Sequence, residues 1–104
     1  MRRGHQGRVD SNQRAIVEQL RAAGATVVSL AAVGQDCPDL LVGFRRRTYL
    51  MEVKRPLGPL GGRSSSRRSD GQRAFALAWR GGPVVTVRSP AEALAAIGLM
   101  EISP

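Results

Sequence analysis

A chain of 104 residues with 42 % apolar side chains can fill one hydrophobic core but not two; with four aromatic residues, that core must be built from Val, Leu, Ile and Ala. The formal net charge of +8 and a pI near 11.6 favour a polyanionic partner, nucleic acid before anionic membrane. A single cysteine, Cys37, excludes an intrachain disulfide, no CxxC or His/Cys cluster offers structural zinc, and no apolar run could act as a signal peptide or cross a bilayer, so an intracellular, cytoplasmic protein is expected.

Residues 1–9 read as a mobile basic arm, either an idle terminus or a DNA contact, with His5 solvated inside it. Asp10 or Ser11 is expected to cap a helix that runs to about Ala23 and stops at Gly24, Asp10 and Gln13 having capping-box spacing. Gln13, Ile16, Leu20 and Ala23 form one stripe of that helix, with Asn12 and Val17 at its edges and Glu18 on the far side. Residues 25–30 read as a strand. Gly34-Gln35-Asp36 then makes a turn, where Asp36 is read as a local cap ahead of the alternative that it reaches a metal, and Pro38 holds Cys37 extended. No histidine is available to activate Cys37, which is therefore read as a small packed residue.

The central stretch runs from Cys37 to Pro56. Two β-rich runs flank a basic break at Arg45–Arg47, the pattern of a hairpin. Asp39 opens the first run, and Glu52-Val53-Lys54 closes the second. Strand alternation puts Glu52 and Lys54 on one face and Val53 on the other. Asp39 shares the face of Glu52 only if the connecting loop has an even number of residues, a two-residue turn at Arg45–Arg46 or a four-residue loop from Phe44 to Arg47. A three-residue turn would point Asp39 away. The even-length loop is the prediction. Two carboxylates and an ammonium on one sheet face are costly to bury without a task or a partner. Of the 16 cationic residues 15 are arginine, and the only lysine is Lys54, where a compact ammonium beside two acids suits work at a phosphate.

Residues 56–71 are a Gly/Ser/Arg segment without apolar period, read as a flexible basic loop that is either a solvated linker or, through Arg63, Arg67 and Arg68, a contact to a phosphate backbone. Gln72 to Trp79 returns to helical spacing, with Phe75, Ala76 and Trp79 on an apolar stripe and Trp79 expected in the core. Residues 83–87 read as a strand, and Ser89-Pro90 starts a last helix through about Ile97. The order α-β-β-β-α-β-α predicts an α/β fold, a mixed sheet flanked by helices in a single domain over residues 1–104.

Cys37-Pro38-Asp39, Glu52-Val53-Lys54 and the helix-opening Gln72, in this order, resemble the PD-(D/E)xK nuclease superfamily, in particular the small phage-type VRR-Nuc domains related to Holliday-junction resolvases. The resemblance implies a restriction-endonuclease-like sheet. It implies metal ligation by Asp39, Glu52 and the backbone carbonyl of Val53, with Mg²⁺ or Mn²⁺ as the ion and no small-molecule cofactor. It further gives Lys54 the role of orienting or deprotonating the attacking water and stabilising the pentavalent charge, and Gln72 that of positioning Lys54 or the water. Relatives carry a glutamate on the first helix near the metal, where this chain has Asn12 or Gln13; loss of that charge weakens metal binding and argues against a two-metal site.

The function expected is therefore that of a divalent-metal-dependent DNA endonuclease, selective for branched, Holliday-junction-like DNA, working as a homodimer in a bacterial or phage-infected cell. Arg45, Arg46, Arg47, Arg55, Arg63, Arg67 and Arg68 are the candidate DNA contacts. The alternative is a catalytically impaired DNA-binding module of the same fold.

Overall fold

The computed structural model describes residues 7–56 and 68–99, of residues 7–10 the backbone alone. Seven elements follow one another: α1 (Gly7–Ala22), β1 (Thr26–Ser29), β2 (Leu40–Phe44), β3 (Arg47–Val53), α2 (Asp70–Ala78), β4 (Val84–Val87) and α3 (Pro90–Ala96). They form an α/β fold with one four-stranded mixed sheet in the order β1-β2-β3-β4. The pairs β1–β2 and β2–β3 are antiparallel, and β3–β4 is parallel, its crossover carrying α2.

Alternation sorts the sheet into two unlike faces. Val27, Leu40, Val42, Met51, Val53 and Val87 point to one side, where Ile16 and Leu20 of α1 and Ala93 and Ile97 of α3 close the core. That assembly buries the aliphatic residues the composition required, at roughly 1.5–3 kcal/mol for each large side chain. The opposite face carries Leu50 and Glu52 of β3, with Lys54 just past its end, and Thr86 of β4, whose register partner is Glu52. The N-terminal end of α2 lies over this second face, and α2 itself has no buried residue.

Several boundaries differ from the sequence expectation. The first helix begins at Gly7, so residues 7–9 belong to α1 and not to a mobile arm, while residues 1–6 lie outside the described ones. Its end is as expected: Gly24 adopts φ +104°, and the Gly24 and Ala25 amides donate to the Arg21 and Leu20 carbonyls, a Schellman stop. The helix assigned to 72–79 starts at Asp70, because Ser69 caps it, so residues 70–71 leave the loop; residues 57–67 lie outside the described ones. Trp79 is not in the core. It is 46 % exposed and stacks on Phe75 with ring centroids 5.5 Å apart, on a helix none of whose residues is fully buried.

The connection in the hairpin is the two-residue turn. Phe44 pairs with Arg47, Leu40 pairs with Met51, and Arg45 and Arg46 form the turn with φ of 52° and 69°. Positive φ at both central positions is the type I′ pattern, whose twist matches that of the strands but which favours Asn and Gly. Two arginines in left-handed backbone carry strain; the Arg45 guanidinium lies over the Phe44 ring, 4.9 Å from its centroid. Replacing the pair (Arg45→Asn with Arg46→Gly) should stabilise the fold by about 1 kcal/mol, raising the thermal midpoint by roughly 4–8 °C for a domain of this size. Calorimetry of the double variant checks this.

Candidate active site

Glu52 is the centre of the second face. It is 0 % exposed, the only buried polar or charged residue among those described. Its neighbours on β3, Met51 and Val53, are buried and apolar, and an ionised group there needs charge and hydrogen bonds from the protein. Arg68, just before α2, supplies part of this. Its Nε donates to Glu52 Oε1 at 2.8 Å, and its Nη2 donates to the Val84 carbonyl at 2.5 Å. Thr86 Oγ1 donates to Oε1 at 3.4 Å and accepts from Arg68 Nε at 3.3 Å. Arg68 thus bridges β3 and β4 instead of closing a two-pronged fork on the carboxylate. Glu52 Oε2 is left buried with no hydrogen-bond partner. An orphaned buried acceptor costs about 1–3 kcal/mol, which a bound cation would recover.

Asp39 is brought to the same end of the sheet by an irregularity. The Leu40–Met51 pair is the last of the regular ladder, and the Asp39 amide donates to the Met51 carbonyl at 3.0 Å, so Asp39 and Leu40 both face Met51 as in a β-bulge. A continued ladder would have paired the Val53 amide with residue 38. Instead that amide donates to Asp39 Oδ2 at 2.7 Å, and the side chain replaces a backbone acceptor. The bulge therefore places the Asp39 carboxylate against the Glu52–Val53 peptide and leaves its second oxygen outside that bond.

Lys54 continues β3 beyond its last ladder residue, its amide donating to the Val87 carbonyl at 3.0 Å. Its Nζ donates to Gln72 Oε1 at 2.9 Å. The same oxygen accepts from the Ser69 amide at 2.9 Å, while the Gln72 amide donates to Ser69 Oγ at 3.1 Å. Gln72 is thus both the third residue of a reciprocal capping box and the partner of Lys54. Asn12 of α1 joins from the other side, its Nδ2 donating to the Lys54 carbonyl at 2.9 Å and to the Arg88 carbonyl at 3.4 Å. Asn12 acts on backbone, whereas Gln13 lines a groove between α1 and β1 with Val17 and Val27.

The candidate arginines separate into groups. Arg68 is a partner of Glu52. Arg55 follows Lys54 on the surface. Arg45, Arg46 and Arg47 sit at the other end of the hairpin, and the seven residues of β3 put about 20 Å between them and Lys54. Arg63 and Arg67 lie outside the described residues. Sequence reasoning missed Ser69, although the Ser69–Gln72 spacing is a capping-box signal, and it missed Thr86, which only the parallel register brings to Glu52.

Among the described residues no group of three His, Cys, Asp or Glu side chains is placed to hold a metal ion. The donors that fit a hard cation are two carboxylates, with Glu52 Oε2 the open one, and the oxygen-rich backbone between Glu52 and Lys54. No helix among the described residues is long and apolar enough to cross a membrane. No family model, curated protein or solved structure matches this chain.

Asp36 also reaches this region. Gln35 and Asp36 have φ of 60° and 61°, and the Asp36 carboxylate lies so close to Gly71 in the first turn of α2 that a Cβ there would fall inside its van der Waals contact. In a free helix position, Gly→Ala gains about 1 kcal/mol. Gly71→Ala should gain nothing in the native chain and should gain that amount when Asp36→Ala removes the obstruction; denaturant unfolding of the double-mutant cycle reads the coupling.

Proposed function

We propose that this chain is a divalent-metal-dependent endodeoxyribonuclease with a site of PD-(D/E)xK type. The observation that carries it is the buried carboxylate of Glu52 with one oxygen held by Arg68 and the other left without a partner, on a strand whose next amide, that of Val53, donates to the Asp39 carboxylate and which runs on into Lys54. Asp39, Glu52 and the carbonyl of Val53 would hold Mg²⁺ or Mn²⁺, and such an ion supplies charge neutralisation at the scissile phosphate. Lys54, the compact donor of the set, meets the phosphate oxygens or the attacking water. Gln72 fixes the ammonium at 2.9 Å, so that its geometry does not have to be found during the reaction. The net charge of +8 gives the chain an attraction for a phosphate backbone that weakens steeply with salt. A branched-DNA substrate and a symmetric homodimer, with two sites on two strands, belong to the same proposal.

One observation favours a second possibility, a DNA-binding module with impaired catalysis: the two carboxylates have no third acidic partner among the described residues. Cleavage assays separate the two. Labelled four-way junction, flap and duplex DNA should be cut in Mg²⁺ or Mn²⁺ and left intact in EDTA. Glu52→Ala and Lys54→Ala should each lower the cleavage rate by about 10³-fold while junction binding persists. Salt-sensitive binding without cutting in either metal would establish the binding module instead.

A further inference from the structure

The charges around Glu52 add up to an unusual metal centre. Asp39 and Glu52 contribute two negative charges; Arg68, bonded to Glu52, offsets one of them directly, while the Lys54 ammonium is held by Gln72 and the Asp36 carboxylate lies against Gly71. An oxygen-ligand site with a fixed positive charge on one of its ligands attracts a divalent cation weakly, because such a charge within a few ångströms opposes the approaching ion. Arg68 is the larger obstacle. It contacts the very carboxylate that would ligate the ion, and its Nη2 bond to the Val84 carbonyl anchors the guanidinium to β4 independently of Glu52. Arg68 therefore has reason to stay when an ion arrives at Oε2. What a carboxylate offset by Arg68 lacks is negative charge facing the ion, and a phosphodiester oxyanion brings it.

We propose that Arg68 holds the divalent-metal affinity of the free protein down by offsetting the charge of Glu52, so that metal and a nucleic-acid phosphodiester bind with positive linkage, each completing the site for the other. The proposal rests on Glu52 being a metal ligand. Its physical content is a competition between two effects of the same side chain. By orienting Glu52, Arg68 favours ligation; by its charge it opposes it. At separations of a few ångströms in a largely buried setting, the charge effect is the larger.

The test is Mn²⁺ binding followed by electron paramagnetic resonance of the free ion, on the full chain without any turnover. Arg68→Met should bind Mn²⁺ about tenfold or more tightly than wild type, and Arg68→Lys, which keeps the charge, should stay near wild type. Excess thymidylyl-thymidine, a single phosphodiester, should tighten Mn²⁺ binding by wild type about tenfold and that by Arg68→Met much less. Equal or weaker Mn²⁺ binding by Arg68→Met, with Glu52→Gln still abolishing it in both backgrounds, would overturn the role given to Arg68 and leave the metal centre standing. Mn²⁺ binding that does not depend on Glu52 in either background would overturn both. If Arg68→Met does not fold, the dinucleotide experiment on wild type decides alone, and absence of tightening overturns the linkage.

Discussion

Burial of one carboxyl side chain, Glu52, is the constraint from which the rest of the second sheet face follows. A carboxylate at 0 % exposure in the middle of a strand is unfavourable by several kcal/mol unless it is compensated. The compensation comes from two directions. Arg68 provides charge and Thr86 provides a hydroxyl from the parallel neighbour, while Oε2 stays without a hydrogen-bond partner. A two-pronged arginine contact would have satisfied both oxygens. The half-satisfied geometry is the observation on which the proposed metal site rests.

The segment from Arg68 to Gln72 does the positioning. Within five residues it grips Glu52 through Arg68, caps α2 through Ser69, places Gly71 against Asp36, and presents Gln72 to Lys54. Local and long-range bonds here share the same atoms. Gln72 Oε1 accepts at once from the Ser69 amide that belongs to the cap and from the Lys54 ammonium that belongs to the site. Helix capping, normally a matter of about 1 kcal/mol, thereby becomes a determinant of where the one lysine points.

The two ends of the hairpin are chemically opposed. The bulge and the acids occupy one end; three consecutive arginines, two of them in left-handed backbone, occupy the other. The seven residues of β3 keep the two ends about 20 Å apart, so the turn arginines lie well away from Glu52 and Lys54. Meanwhile α2 leaves Leu77 87 % exposed and the Phe75–Trp79 stack partly open.

Much of this was legible in the residues. Period-two alternation separated Met51 and Val53 from Glu52 and Lys54, and it also selected the two-residue Arg45–Arg46 turn, because a strand has only two faces and a slip of one residue exchanges them; the direct Asp39–Glu52 pairing that this register implied is replaced by the bulge. The stop of α1 at Gly24 and the start of α3 at Ser89 were equally readable, since both depend on chemistry within a few residues. What could not be read depended on partners distant in the chain. The bulge at Asp39 arises where two strands meet, the Thr86–Glu52 neighbourhood arises from a parallel register, and Trp79 stays outside the core on a helix none of whose residues is fully buried. Arg68 is the clearest case. By sequence it is one cation among 16, and only the sheet decided that it would be the counter-ion of Glu52, since a charge takes its role from what lies within a few ångströms and not from its neighbours along the chain.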